Sequence, residues 1–121
     1  MSCDTSKFTI TKGLDNTFVF TIKANGTTLP MEITEGVDTF DATLIKLSDE
    51  SVTLVQPLVV TNALSGQVTL TIAAADTTSL VSDKGSKTDR YYLRPTYKLI
   101  IECSTVNNGD FIAKVAEVYV D

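Results

Sequence analysis

Short alternating segments, turn residues between them and the lack of any long helical period predict an all-β, immunoglobulin-like β-sandwich of seven to eight strands in this chain. The clearest segment is Gln67–Ile72. There Val68, Leu70 and Ile72 alternate with Gln67, Thr69 and Thr71, so one face of a strand is aliphatic and the other wet. A closed barrel satisfies the same pattern and is the runner-up architecture. With 121 residues the chain supplies one core, burying roughly two-thirds of the unfolded surface. Residues 7–121 are assigned to a single sandwich domain and residues 1–6 to a flexible N-terminal arm.

Taken in order, Phe8 and Ile10 share a face of a first strand over residues 7–12, and Gly13-Leu14-Asp15-Asn16 supplies the turn after it. A second strand, residues 17–23, sets Phe18, Phe20 and Ile22 against Thr17, Val19, Thr21 and Lys23. Asn25-Gly26 then predicts a type I′ hairpin, because both residues accept positive φ. Residues 27–33 return alongside, with Pro30 holding them to an edge or a break in pairing. After a loop at 34–38, Phe40, Ala42 and Leu44 alternate with Asp41 and Thr43, and the slip into Ile45 and Leu47 predicts a bulge at Leu44-Ile45. Ser48-Asp49-Glu50 turns the chain into Val52-Thr53-Leu54, which Pro57 interrupts before Leu58-Val59-Val60, an irregular or edge strand.

Residues 61–66 turn into the Gln67–Ile72 strand, whose alternation stops at Ala73-Ala74-Ala75. Asp76 is placed to N-cap one short helical turn near residues 76–81 by accepting from the Ser79 N–H, folding Leu80 or Val81 over the sheet end. Residues 82–90 contain no apolar side chain and are read as a solvated loop. Tyr91-Tyr92-Leu93-Arg94-Pro95 leads into a strand with Tyr97, Leu99, Ile101 and Cys103 facing inward. Asn107-Asn108-Gly109-Asp110 closes a hairpin onto a last strand over residues 111–120, where Lys114 and Glu117 have opposite parity. For both to face outward, a bulge must lie between them.

Composition excludes several function classes. A net charge of −5 with scattered Lys and Arg argues against binding to nucleic acid or anionic membrane, and no apolar run approaches the roughly 18 residues of a membrane span. The first six residues have neither a basic nor an apolar leader region, which predicts synthesis in a reducing cytoplasm with Cys3 and Cys103 as free thiols. The chain has no histidine, which rules out catalytic triads, His general bases and the usual zinc sites. Neither thiol has an activating His, and no Gly-rich phosphate loop or nucleophile elbow occurs. The carboxylate pairs Asp38/Asp41 and Asp49/Glu50 are what glycoside hydrolysis would need, and Asp15-Asn16, Asp49-Glu50 and Asn108-Gly109-Asp110 offer oxygens to calcium. All sit in or near predicted turns, where solvated charge and turn formation account for them. The expectation is a non-enzymatic protein with no cofactor and no metal.

One cluster points to binding. Tyr91, Tyr92, Arg94 and Tyr97 gather directly after the polar loop, and Tyr and Arg are enriched at interface hot spots. Tyrosines at a strand entrance also cap sandwich cores, and parity assigns Tyr97 to that role. Nine residues without an apolar side chain add nothing to a core, and loops of that kind carry binding. The candidate partner interface is therefore Asp83, Lys84, Lys87, Asp89, Arg90, Tyr91, Tyr92 and Arg94. The aromatic and arginine groups supply contact area and the charged rim supplies specificity.

Four stretches carry a resemblance: Gly13-Leu14-Asp15-Asn16-Thr17-Phe18-Val19-Phe20-Thr21-Ile22; Asn25-Gly26 with Leu29-Pro30-Met31; Gly66-Gln67-Val68-Thr69-Leu70-Thr71-Ile72 with Asp76-Thr77; and Lys114-Val115-Ala116-Glu117-Val118-Tyr119-Val120. In order and spacing they resemble small Ig-like virion structural proteins of tailed bacteriophages, and are similar to the N-terminal domain of the siphophage baseplate upper protein. Relative to that group, residues 82–90 are an insertion. The resemblance implies a non-enzymatic structural protein of the virion, made in the host cytoplasm: a baseplate or tail adaptor, a neck component or a capsid decoration. Its implied partners are other virion proteins, with homo-oligomerisation as a further option, and it carries no catalytic residues. The alternative is a free-standing host-surface or carbohydrate-binding sandwich, a class whose aromatic platforms favour Trp, which this chain lacks.

Overall fold

In the computed structural model, which describes residues 6–24, 26–27, 29–83 and 94–121, the alternating segments become eight strands. They are β1 (Ser6–Ile10), β2 (Asn16–Thr21), β3 (Thr39–Lys46), β4 (Val52–Pro57), β5 (Val59–Asn62), β6 (Gln67–Ile72), β7 (Pro95–Thr105) and β8 (Gly109–Val120), with a helical turn α1 (Ala74–Thr77) after β6. They form one sheet in the order β1-β8-β7-β3-β4 and another in the order β2-β6-β5. No strand of one sheet pairs with a strand of the other among the described residues, so the architecture is a sandwich and the barrel is set aside. The strand order is that of an immunoglobulin-like domain: the second, sixth and fifth strands make one layer and the third, seventh and eighth the other.

Period-two burial builds the core between the layers. Phe20, Val68, Leu70 and Ile72 come from the smaller sheet, and Phe40, Ala42, Leu44, Tyr97, Leu99, Ile101, Ala116, Val118 and Val120 from the larger. No disulfide joins the layers among the described residues, and Cys103 is a buried free thiol. Aromatic edges link them instead, since Phe8 of β1 meets Phe18 and Phe20 of β2 in T-shaped contacts with centroids 5.4 and 5.2 Å apart.

Several expectations are corrected. The helical turn is Ala74–Thr77, not residues 76–81, and Asp76 lies inside its first turn without capping it. The cap comes from across the chain: Asp15 Oδ1 accepts from the Ala74 N–H at 2.7 Å. Buried Thr77 ties the turn down, its hydroxyl accepting from Gly13 N–H and donating to the Ala74 carbonyl, both at 2.8 Å. The return after β2 is not a two-residue hairpin. Ala24 N–H donates to the Leu29 carbonyl at 2.9 Å, which leaves a four-residue connection, and Thr27 braces it by donating to Ala24 O at 3.0 Å. Residue 25 lies outside the described residues, and the pairing beyond is an isolated Lys23–Pro30 bridge with Met31 N–H bonded to the Ile22 carbonyl.

The irregularity at Leu44-Ile45 occurs where expected, but the extra residue, Thr53, belongs to the partner strand. Residues 52–60 are two strands in different sheets: β4 edges the larger and β5 the smaller. The chain crosses at Leu58, whose side chain is buried and whose N–H bonds the Phe40 carbonyl at 2.8 Å. In β8 no bulge separates Lys114 from Glu117; pairing with β7 runs without a break from Lys114 to Val118, and the skipped residue is Ala113. Lys114 therefore shares the inward parity of Ala116, and its ammonium ends over the Phe8 and Phe20 rings, 5.9 Å from each centroid. Residues 1–5 of the expected arm lie outside the described residues, and Ser6 opens β1, which runs parallel to β8.

Candidate functional site

After α1, Leu80 is buried and Val81 is held twice to the start of β7. Its N–H donates to the Tyr97 hydroxyl at 2.9 Å, and its carbonyl accepts from Thr96 Oγ1 at 2.7 Å. Tyr97, inward by parity, is buried, and its hydroxyl bond fastens the segment after α1 across the end of the sandwich. Two residues on, Asp83 and Arg94 form an antiparallel bridge in which the Arg94 N–H donates to the Asp83 carbonyl at 2.7 Å. Arg94 Nη1 also stands 3.6 Å from Asp83 Oδ1, with both side chains half exposed, a pair that contributes little stability but matches the ends of the segment.

Of the eight candidate interface residues, the structure therefore joins Asp83 and Arg94. Lys84, Lys87, Asp89, Arg90, Tyr91 and Tyr92 lie outside the described residues. Beside the Asp83–Arg94 bridge is a cleft of about 430 Å³. Val81, Asp83 and Thr96 form one wall and the β3–β4 turn residues Lys46, Leu47 and Ser48 the other. The walls are linked where Leu47 N–H bonds the Thr96 carbonyl at 2.9 Å. The turn was not in the candidate set; its sequence signal is Leu47, which keeps the outward parity of Asp41 and Thr43 because β3 pairs with β7 without a break, and which is left exposed.

The other acidic candidates are engaged in local structure. Asp38 is buried and bridges two loops, accepting from Thr34 N–H at 2.9 Å and Val106 N–H at 3.0 Å, while Asp41 faces outward on β3. Asp49 accepts from both the backbone and the hydroxyl of Ser51, which lowers its pKa from the ordinary carboxylate value. Asp110 accepts the Ser104 hydroxyl at 2.9 Å. Among the described residues no group of three or more Cys, Asp or Glu is placed to hold a metal ion. Burial pushes the Cys103 thiol up to about 12, so it is protonated and unreactive at neutral pH.

No protein-family model matches the chain, and no curated protein matches it. Among solved structures the chain is similar to a crystal structure of the ZIG-8-RIG-5 IG1-IG1 heterodimer, at 5% identity and a TM-score of 0.42 over 98% of this chain and 84% of that one. Likeness of that size leaves the fold to be assigned from the strand order.

Proposed function

We propose that this protein is a non-enzymatic structural module of a tailed-phage virion that binds other virion subunits through the segment between Asp83 and Arg94. The observation that carries this reading is the clasp beneath that segment. Its two ends are bonded to each other and, through Val81, Thr96 and Tyr97, to the core, so the fold fixes where residues 84–93 leave it and re-enter it, a position from which loops carry binding. The resemblance in the order and spacing of sequence motifs along the chain supplies the virion context, and the candidate residues supply contact area of the kind hot spots use.

The test is incorporation into particles. Replacing residues 84–93 with a short Gly-Ser turn should change folding stability by about 1 kcal/mol or less, because closure entropy varies slowly with loop length. The same replacement should abolish co-purification with particles and immunogold labelling of them. A variant that folds and incorporates like the parent overturns the reading. Binding of the isolated protein to a glycan array, with no particle association, would instead establish the host-surface module.

A further inference from the structure

The larger sheet is closed unevenly along its β1 side. β1 runs parallel to β8 and pairs only with the last part of it, from Ser6 against Ala116 to Ile10 against Val120. On the N-terminal side of Ala116, β8 extends back to Gly109 with β7 along one edge. Along the other edge no strand lies against residues 109–115 among the described residues, and no backbone hydrogen bond from a segment other than β7 reaches residues 110–115. Such an edge presents a row of N–H and C=O groups to an extended chain.

Lys114 lies in that stretch. It shares the parity of the buried Ala116 and Val118, and opposite them Phe8 and Ile10 of β1 also turn inward. Its ammonium stands 5.9 Å from the centroids of both the Phe8 and Phe20 rings, and no carboxylate of the described residues is within ion-pair distance of it. Ring faces attract a cation, but they do not replace the anion that a half-buried charge calls for.

We infer that this edge is the docking site of the chain's own residues 1–5, laid against it as a continuation of β1, with the Asp4 carboxylate meeting the Lys114 ammonium. Position selects this occupant first. Ser6 is seated beside Ala116, so the residues that precede it leave β1 at the point where the edge opens. Length agrees, because five extended residues cover roughly 16 Å, the span of residues 111–115 on the neighbouring strand. Charge agrees as well: counted back two places, the β1–β8 register sets Thr5 against Val115 and Asp4 against Lys114, and Asp4 is the only charged side chain in residues 1–6. The count does not cross the irregularity at Ala113, since β8 pairs with β7 without a break from Lys114 to Val118. Opposite charges that face each other across a strand pair stabilise it.

The experiment is amide hydrogen exchange on the full chain, read in the peptide covering residues 109–116, with circular dichroism to check folding and sedimentation equilibrium to give the mass. In the parent that peptide should exchange slowly at every protein concentration. Deleting residues 2–5 should speed its exchange about tenfold or more, and Asp4→Asn about threefold to fivefold. In a Lys114→Met background Asp4→Asn should change nothing further, because its partner is already gone. Exchange unaltered by the deletion overturns the proposal, and so does an Asp4→Asn effect that survives Lys114→Met. Protection that appears only as the chain dimerises assigns the arm to a second copy and overturns docking on the same chain. The deletion leaves every described residue intact, so it decides the case even where Lys114→Met folds poorly. All variants keep Asp83 and Arg94, so failure of this docking and failure of the loop reading are separately visible.

Discussion

The Tyr97 hydroxyl accepts the Val81 N–H at 2.9 Å across sixteen residues of chain, fastening the segment after α1 to the strand on which the loop ends. Tyr97→Phe keeps the ring in the core but leaves that N–H without its partner. The cost should be about 1–2 kcal/mol of stability, measured as the urea midpoint with an unchanged slope. A midpoint equal to the parent's would show that water replaces the hydroxyl.

Gly66 has φ +70°, and a Cβ there would lie 2.7 Å from the Met31 carbonyl oxygen and 2.8 Å from that of Ile22. Those atoms are backbone and cannot rotate away. Gly66→Ala should cost about 2 kcal/mol or more, whereas Gly13→Ala, with the same sign of φ and open space around it, should cost about 1–2 kcal/mol. Thermal midpoints of the two variants check the order.

Asp38 gives one carboxylate oxygen to each of two N–H donors, Thr34 and Val106. Asp38→Ala should destabilise by about 2–3 kcal/mol, since both bonds are charge-assisted. Asp38→Asn should recover less than half of this, because its amide nitrogen turns a donor toward one of the two N–H groups. Equal stability of Asn and Asp proteins would count against the bridge.

Burial raises the Cys103 thiol from 9.0 to about 12, the backbone at Ala113 opposing the shift and the Asp38 charge adding to it. Between those values the unfolded thiol has lost its proton and the folded one has not, so the unfolded state binds fewer protons. The stabilisation is full below pH 9 and is lost as pH rises toward about 12. Parent and Cys103→Ala stabilities measured across that window should converge as pH rises. At pH 8 the peptide containing Cys103 should stay unalkylated by iodoacetamide until denaturant is added.

The alternations around Phe20, Leu44, Leu70, Leu99 and Val118 were legible because period two is a property of the extended backbone itself: a strand of this composition has one way to face a core. The inward Tyr97 was legible for the same reason, whereas the apolar slip into Ile45 and Leu47 was misleading: β3 keeps its register with β7, and the irregularity at that place comes from Thr53 of β4. The apolar-free stretch over residues 82–90 reads as a loop, but residues 84–90 lie outside the described residues, and composition alone does not say what joins its flanks. The Asp83–Arg94 bridge does that, and it exists because β6 and β7 lie in different layers and their connection must span the end of the sandwich.

Residue order by itself determined most of the strands and the aliphatic side chains they turn inward, the class of fold and the lack of a histidine-based chemistry. Tertiary structure decided the sheet to which each strand belongs, the switch at Leu58, the parallel pairing of β1 with β8, the remote Asp15 cap and the inward turn of Lys114. Each of these rests on a contact between segments distant in sequence, and a local period carries no information about which neighbour will supply a hydrogen-bonding edge, an acceptor or an aromatic face.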